Sequence, residues 1–225
     1  MDRGLNSLPI DTHPIPHPTN FLLGLPKGRF ESCTRTLLGS LGIVWKDRLC
    51  YRVPAWRATV LLLKASDIPR AVSEGHIDLA VTPEEWSLEL DTQAPGTVVR
   101  VAKLPGWLPT RLSFFGQPGI AWPPIGRARV ATCFPGVAVS LLHRLGVAAD
   151  ILHVTGSTEA FVGVLADYGF DCVETGMSLR RHGLIELHQA VPALGMDVIA
   201  APESVKRVEG LVPTLMLAMG EATPA

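Results

Sequence analysis

Strand-length apolar runs alternate with helix-spaced apolar stripes along most of this chain, and that alternation restricts its fold more than any other feature. "FLLGL" (21 to 25) is a short apolar run, and "PKGR" leads from it into Phe30, Cys33, Leu37, Leu38 and Leu41. Their spacing is that of the buried stripe of a helix, which Gly42 stops. "ATVLLL" (58 to 63) is the next run. Ser66 and Asp67 then start a helix with Pro69 in its first turn, Ile68, Ala71 and Val72 on one face, and Gly75 at its end. "IDLAV" (77 to 81) reads as a third strand. Parallel neighbours need crossover connections, so this order predicts an α/β chain with a mainly parallel, helix-covered sheet.

From about 92 to 127 the rhythm changes. "TVVRVAK" and "RLSFF" read as strands, separated and followed by the Pro/Gly-rich pieces "LPGWLP" and "GQPGIAWPPIG", which mark a crossing into a second lobe. There the alternation resumes. Strand "ARVAT" (128 to 132) precedes a helix carrying Val137, Leu141, Leu142 and Leu145; "DILHV" (150 to 154), a short helix from Ser157 and strand "YGFDCVE" follow. A helix or turn starts near 177, and "MDVIAA" (196 to 201) gives a last strand before a helix that Pro213 should kink or divide. The expected organisation is a flexible arm over 1–20, lobe I over 21–103, lobe II over 104–190, and a return to lobe I with a C-terminal helix over 191–225. Prolines at 9, 14, 16 and 18 and the absence of periodicity mark the arm, which holds His13 and His17.

With 225 residues, 47% of them hydrophobic, the chain can bury a substantial core. A net charge of -1 gives no global field for DNA, RNA or a membrane surface, so an anion must be caught by a local cluster. No apolar run approaches a membrane span, and the N-terminus lacks the order of a signal peptide. Cys33, Cys50, Cys133 and Cys172 show no zinc-site spacing and read as reduced core thiols of a cytoplasmic protein.

The segment "DCVETGMSLRRHGL" (171 to 184) concentrates hydrogen-bonding groups just where ligands bind in α/β sheets, beyond the carboxyl end of a strand. Gly176 lets the backbone approach a ligand, and Ser178 adds a hydroxyl beside the free N–H groups of the next helical turn, a phosphate-binding arrangement. Asp167 and Asp171, four apart, are expected on one strand face at the edge of the same pocket. Carboxylates beside a phosphate loop suit sugar hydroxyls or magnesium; the structural alternative is that both cap helices or pair with Arg180 and Arg181.

"GLPKGRF" (24 to 30), "DIPRAVSEGHIDLAV" (67 to 81), "ARVATCFPGVA" (128 to 138), "GSTEA" and "LADYGFDCVETGMSLRRHGLIEL" (to 187) together resemble the ATP phosphoribosyltransferase family, the first enzyme of histidine biosynthesis. The length resembles the short form, which works with a histidyl-tRNA-synthetase-like regulatory subunit in a homo- or hetero-oligomer. The resemblance implies a two-lobed α/β fold of the periplasmic-binding-protein type II class with a ligand cleft between lobes. It implies that 5-phosphoribosyl 1-pyrophosphate and ATP join at adenine N1, with Mg2+ held mainly by substrate phosphates. Glu174, Thr175, Gly176, Met177, Ser178 and Leu179 would surround the 5-phosphate, and Asp167 and Asp171 would face the ribose. Lys27, Gly28, Arg29, Arg111 and Glu159 would serve ATP and pyrophosphate, with Lys27, Arg29 and Asp171 carrying the catalysis. Charge neutralisation and positioning are what such a displacement needs.

The chain departs from the family pattern at Ser178 (usually Thr), His182 (usually Asn), "AVTPEEW" (80 to 86) and "LPGWLPTRL" (104 to 112), the last two bringing Pro83, Trp86 and Trp107. The tryptophans are expected either to narrow an acceptor pocket or to plug a core. Two other readings therefore stand beside the family activity: transfer of phosphoribose to another nitrogen acceptor, or a non-catalytic subunit that binds a phosphorylated metabolite or serves assembly.

Overall fold

The computed structural model describes residues 21 to 104 and 107 to 222; the expected arm over 1 to 20 lies outside them. The chain opens with β1 (Phe21–Pro26), a 3-10 turn over Gly28–Phe30 and α1 (Glu31–Ser40), whose buried side carries Cys33, Thr34, Leu37 and Leu38. β2 (Cys50–Val53) and β3 (Ala58–Leu63) pair antiparallel through a short 3-10 turn. Nothing in "CYRV" announces β2, because only Tyr51 and Val53 of its four residues are buried. α2 (Ile68–Ser73) and β4 (Leu79–Pro83) follow. β4 begins two residues later than expected. Ile77 is buried in a cluster with Ala80 and Ile199, so it carries an apolar signal without being in the ladder.

α3 (Glu84–Gln93) is a helix that apolar periodicity does not reveal, since its buried residues include Glu85, Ser87 and Glu89 beside Leu90. β5 (Val99–Leu104), β6 (Arg111–Gly116), β7 (Arg127–Thr132), α4 (Pro135–Arg144) and β8 (Ala148–His153) come next. A 3-10 turn (Thr158–Phe161), β9 (Tyr168–Val173), α5 (Met177–Arg181) and β10 (Ile185–Val191) lead to β11 (Met196–Ala200). The tail holds α6 (Val205–Val208), a 3-10 turn over Glu209–Leu211, and α7 (Val212–Ala222). Pro213 falls in the first turn of α7, where its missing N–H costs no helical bond, so the tail helix is divided there.

Two compact units result. Among the described residues, one comprises 21–82, 97–104 with 107, and 196–222; the other comprises 83–96 and 108–195. The expected lobes put 83–96 with the first sheet, but the contacts of α3 lie in the second unit. Trp86 packs its ring 4.6 Å from that of Phe134, and Glu89 accepts hydrogen bonds from the N–H groups of Gly136 and Val137, both at 3.0 Å. The carboxylate of Glu89 thus caps α4, where the helix dipole favours negative charge.

The first unit's sheet runs β2-β3-β1-β4-β11-β5 and the second unit's runs β10-β6-β9-β7-β8. Both correct the expectation of a mainly parallel sheet. β1 pairs parallel with β3 and β4, while β2 and β5 flank them antiparallel to β3 and β11. In the second sheet β7 pairs parallel with β8 and β9, while β6 pairs antiparallel with β9 and β10. A hairpin such as β2–β3 needs no crossover helix, which is why it runs antiparallel.

The second sheet buries one core around Phe114, Phe134, Phe170 and Leu142, and a smaller cluster of Phe115, Val162, Val173, Leu179 and Leu184. Phe115 lies opposite Gly169 across the β6–β9 pair, and its ring occupies the space a side chain on Gly169 would need. A Cβ there would sit 2.1 Å from the ring. Gly169→Ala should therefore destabilise the protein by about 1–3 kcal/mol, the range for overpacking. Urea unfolding of the variant would check this, and a midpoint equal to wild type would contradict the packing described.

Candidate functional site

β9 delivers the groups of the site in order. Asp171 lies near its carboxyl end, directly across from Ser113 of β6, and Val173 lies across from Arg111. Beyond it, residues 174 to 179 fold back around Gly176, whose φ of +68 is the left-handed conformation that glycine accepts most readily. Met177 N–H donates to Thr175 Oγ1 at 3.3 Å, and α5 begins there. Leu179 and Leu184 anchor the turn on Phe115, so Leu179 supplies a buried floor and its backbone, not a side-chain contact.

Phe115, Glu159, Cys172, Val173 and residues 174 to 179 with Arg181 line a concavity of about 320 Å³. Glu159, expected with the nucleotide phosphates, lines this concavity and accepts a hydrogen bond from Ser178 Oγ at 2.6 Å. The serine in place of threonine keeps this bond. Thr175 and Met177 are exposed.

Arg111 braces the turn from beneath. Its guanidinium donates to both oxygens of Glu186, at 2.6 and 2.7 Å, and to the Glu174 carbonyl at 2.6 Å; Ser113 Oγ donates to Glu186 Oε1 at 2.6 Å. The Arg111 guanidinium holds the Glu186 carboxyl below the usual carboxylate range. A forked, charge-assisted pair of this kind fixes orientation as well as adding energy.

The two aspartates of β9's segment have opposite surroundings. Asp167 stands before the strand's first residue, where both its oxygens are gripped by Arg129 at 2.6 and 3.0 Å, and this pairing lowers its pKa. Four residues along a strand span roughly 13 Å. The structure therefore separates Asp167 from Asp171 along β9, and neither is among the residues lining the concavity, which begins at Cys172 on this strand. Asp167 is thus paired with Arg129 and not with the expected Arg180 or Arg181; Arg180 donates to the Thr175 carbonyl at 3.2 Å.

Asp171 accepts from Thr158 Oγ1 and, at 3.6 Å, from Cys133 Sγ on Oδ2, and from the Cys172 N–H at 2.7 Å on Oδ1. Burial pushes its carboxyl up; the bonds from Thr158 and Cys172 pull it down, and Glu159 nearby adds to the rise. Thr158, Cys133, Ser113 and Glu186 escaped the sequence reading, because residues 13 to 75 positions from their partners give no spacing signal.

Lys27, Gly28 and Arg29 belong to the first unit. They are exposed just past the carboxyl end of β1, where the Lys27 N–H donates to the Leu63 carbonyl at 2.9 Å and Arg29 lies over the Phe30 ring. Trp86, partly buried, packs against the core on Phe134, and Trp107 is a core residue at 1% exposed. All four cysteines are free thiols; Cys33 and Cys133 are buried, whereas Cys50 and Cys172 are only partly so, which amends the expectation that all four are core. Among the described residues no helix is long and apolar enough to cross a membrane.

Residues 64–220 match the family model described as HisG: ATP phosphoribosyltransferase. The protein named ATP phosphoribosyltransferase of Pseudomonas syringae pv. syringae is 32% identical over 212 residues, covering 88% of this chain and 96% of that one. Its namesake in Bacteroides thetaiotaomicron is 32% identical over 170 residues, 72% of this chain and 58% of that longer one. Among solved structures, the ATP phosphoribosyl transferase (HisG:HisZ) complex from Thermotoga maritima has a TM-score of 0.74 at 22% identity, over 90% of this chain and 98% of that one. The alkanesulfonate-binding protein SsuA from Xanthomonas axonopodis pv. citri has a TM-score of 0.59 at 13% identity, over 92% and 74%. These likenesses show the fold: α/β, two-lobed, of the periplasmic-binding-protein type II class.

The raised pKa of Asp171 sets a stability test. Folding favours its neutral form, so its contribution is fully present below the unfolded carboxyl pKa of about 3.9 and is lost as pH rises through the higher folded value. Asp171→Asn, which cannot ionise, should lack this pH dependence, although its amide nitrogen cannot accept the bond that one carboxylate oxygen accepts. Thermal melts should show wild type losing more Tm than the variant as pH rises from about 4 to 7; parallel Tm profiles would contradict this sign.

Proposed function

The chain belongs to the ATP phosphoribosyltransferase family, and from that premise we propose that it joins 5-phosphoribosyl 1-pyrophosphate to ATP, the opening step of histidine biosynthesis. The bond formed links adenine N1 to the anomeric carbon of the ribose. The bond broken is the one from that carbon to pyrophosphate, which leaves with the electron pair.

The observation that carries this reading is the braced turn over 174 to 179, with Asp171 on the strand that leads into it. The turn offers N–H groups, Gly176 and the Ser178 hydroxyl to a 5-phosphate, while Asp171 offers a carboxylate oxygen to a ribose hydroxyl. Arg111 contributes by holding the turn, while Asp167 is paired with Arg129 at the far end of β9. Lys27 and Arg29, with the Gly28 backbone between them, would offset charge on the nucleotide and on the departing pyrophosphate.

Mg2+ fits the acids present. Among the described residues no group of three or more His, Cys, Asp or Glu could hold an ion alone. Glu159, however, lies close enough to Asp171 to oppose its ionisation, and a cation bound chiefly by substrate phosphates would relieve that repulsion. When bound, the ion would neutralise charge developing on the leaving group. A cytoplasmic location, an oligomeric state and a separate regulatory subunit complete the proposal; the last is supported by the likeness to the HisG:HisZ complex.

Purified protein with Mg2+, ATP and phosphoribosyl pyrophosphate, with and without the candidate regulatory subunit, should release pyrophosphate and form phosphoribosyl-ATP. Asp171→Ala and Lys27→Ala should each lower kcat/KM by at least about tenfold, roughly 1.4 kcal/mol of barrier. Turnover with another base alone would replace ATP as the acceptor, and binding without turnover would make the chain a non-catalytic subunit.

A further inference from the structure

Thr158 and Cys133 have no part in the chemistry described so far, yet both converge on one oxygen of Asp171. Thr158 is completely buried and Cys133 nearly so, and their side-chain atoms lie 3.9 Å apart. Cys133 follows the end of β7, while Thr158 begins the 3-10 turn that comes after Ser157. Ser157 is in the left-handed region at φ 51, a conformation that side chains disfavour. The turn places the Thr158 hydroxyl inside the protein, where it needs a partner, and its partner is Asp171 Oδ2.

Counting acceptor sites gives this arrangement a direction. An ionised carboxylate has about four lone-pair sites, two on each oxygen. Oδ2 takes the Thr158 hydroxyl and the Cys133 thiol, and Oδ1 takes the Cys172 N–H. One site on Oδ1 is left.

We propose that Thr158 is a positioning residue for Asp171, seconded by Cys133: the two donors commit Oδ2 to the interior, lock the carboxylate plane and leave Oδ1 to accept a hydrogen bond from a ligand hydroxyl. The inference rests on the reading of Asp171 as the sugar-binding acid. Other charged or titratable groups face Asp171 or flank it: Glu159 on the same 3-10 turn, Cys172 on its own strand, and the Arg111–Glu186 pair that engages Ser113, its neighbour on β6. Glu159 opposes ionisation of Asp171, whereas the donors from Thr158 and Cys133 favour it. Removal of the threonine hydroxyl should therefore leave Asp171 harder to ionise and freer to rotate.

The test is a carbon-detected NMR titration of the Asp171 carboxyl in the ligand-free protein, paired with steady-state kinetics. Thr158→Val should move the titration to higher pH, raise KM for phosphoribosyl pyrophosphate by about tenfold and change kcat less. Thr158→Ser, which restores the hydroxyl, should return both toward wild type. Cys133→Ala should give a smaller shift in the same direction, and it keeps the test open if Thr158→Val does not fold. A titration unmoved by Thr158→Val, or by Cys133→Ala where the valine variant cannot be made, overturns the inference whatever the activity does; so does failure of serine to rescue. Wild-type affinity for phosphoribosyl pyrophosphate in Asp171→Asn would instead overturn the underlying reading of Asp171.

Discussion

The antiparallel pairing of β6 with β9 sets the position of nearly every group in the site. Its register puts Ser113 beside Asp171 and Arg111 beside Val173, so the cation that braces the turn and the buried acid before it arrive on neighbouring strands. It also puts Phe115 over Gly169, and that ring is the platform on which Leu179 and Leu184 seat the turn. Because side chains alternate along a strand, a slip of one residue would send Asp171 to the opposite face and move the Glu174 carbonyl away from Arg111. Strong register specification is expected where both faces are packed, as Phe114 and Phe115 on opposite faces of β6 require.

Within that frame the two aspartates illustrate how position decides role. Asp167, at the strand's amino end, is exposed enough to be satisfied by Arg129, and the pair is worth little to stability at a solvated surface. Asp171, one step from the turn, is packed so that burial opposes its charge, and only hydrogen bonds from Thr158, Cys172 and Cys133 make ionisation tolerable. Groups whose surroundings push ionisation in opposite directions often mark functional chemistry. Here burial favours the neutral carboxyl, while hydrogen bonds to both oxygens fix the orientation of its plane.

Much of this fold was legible because its central strands and helices bury apolar faces: β1, β3, α1, α4, β9 and β11 all stand where periodicity puts them. What could not be read has a common physical cause. α3 buries Glu85, Ser87 and Glu89, polar residues whose partners lie elsewhere in the chain, so its inner face looks like an outer one. β10 and β2 lie at sheet edges, with one neighbour each and a weak apolar alternation. In the site, the turn at 174 to 179 was legible as a local motif, while its support was not: Arg111 and Glu186 meet across 75 residues, and Thr158 is one hydroxyl in a polar loop.

The same distinction bears on the segments where this chain departs from its family. Two bulky tryptophans and a proline near the expected acceptor region raise the thought of a remodelled pocket. In the structure each has a structural occupation. Pro83 ends β4 with φ -61 and leads into α3, a place where neither its ring nor its missing N–H breaks a helix. Trp86 fills the space against Phe134 that α3 creates by packing on α4, and Trp107 is enclosed completely. A helix whose inner face is largely polar gains apolar burial from one large residue such as Trp86. The substitutions in these stretches thus answer a packing requirement, and they weaken the case for a changed acceptor while leaving Asp171 and its turn intact.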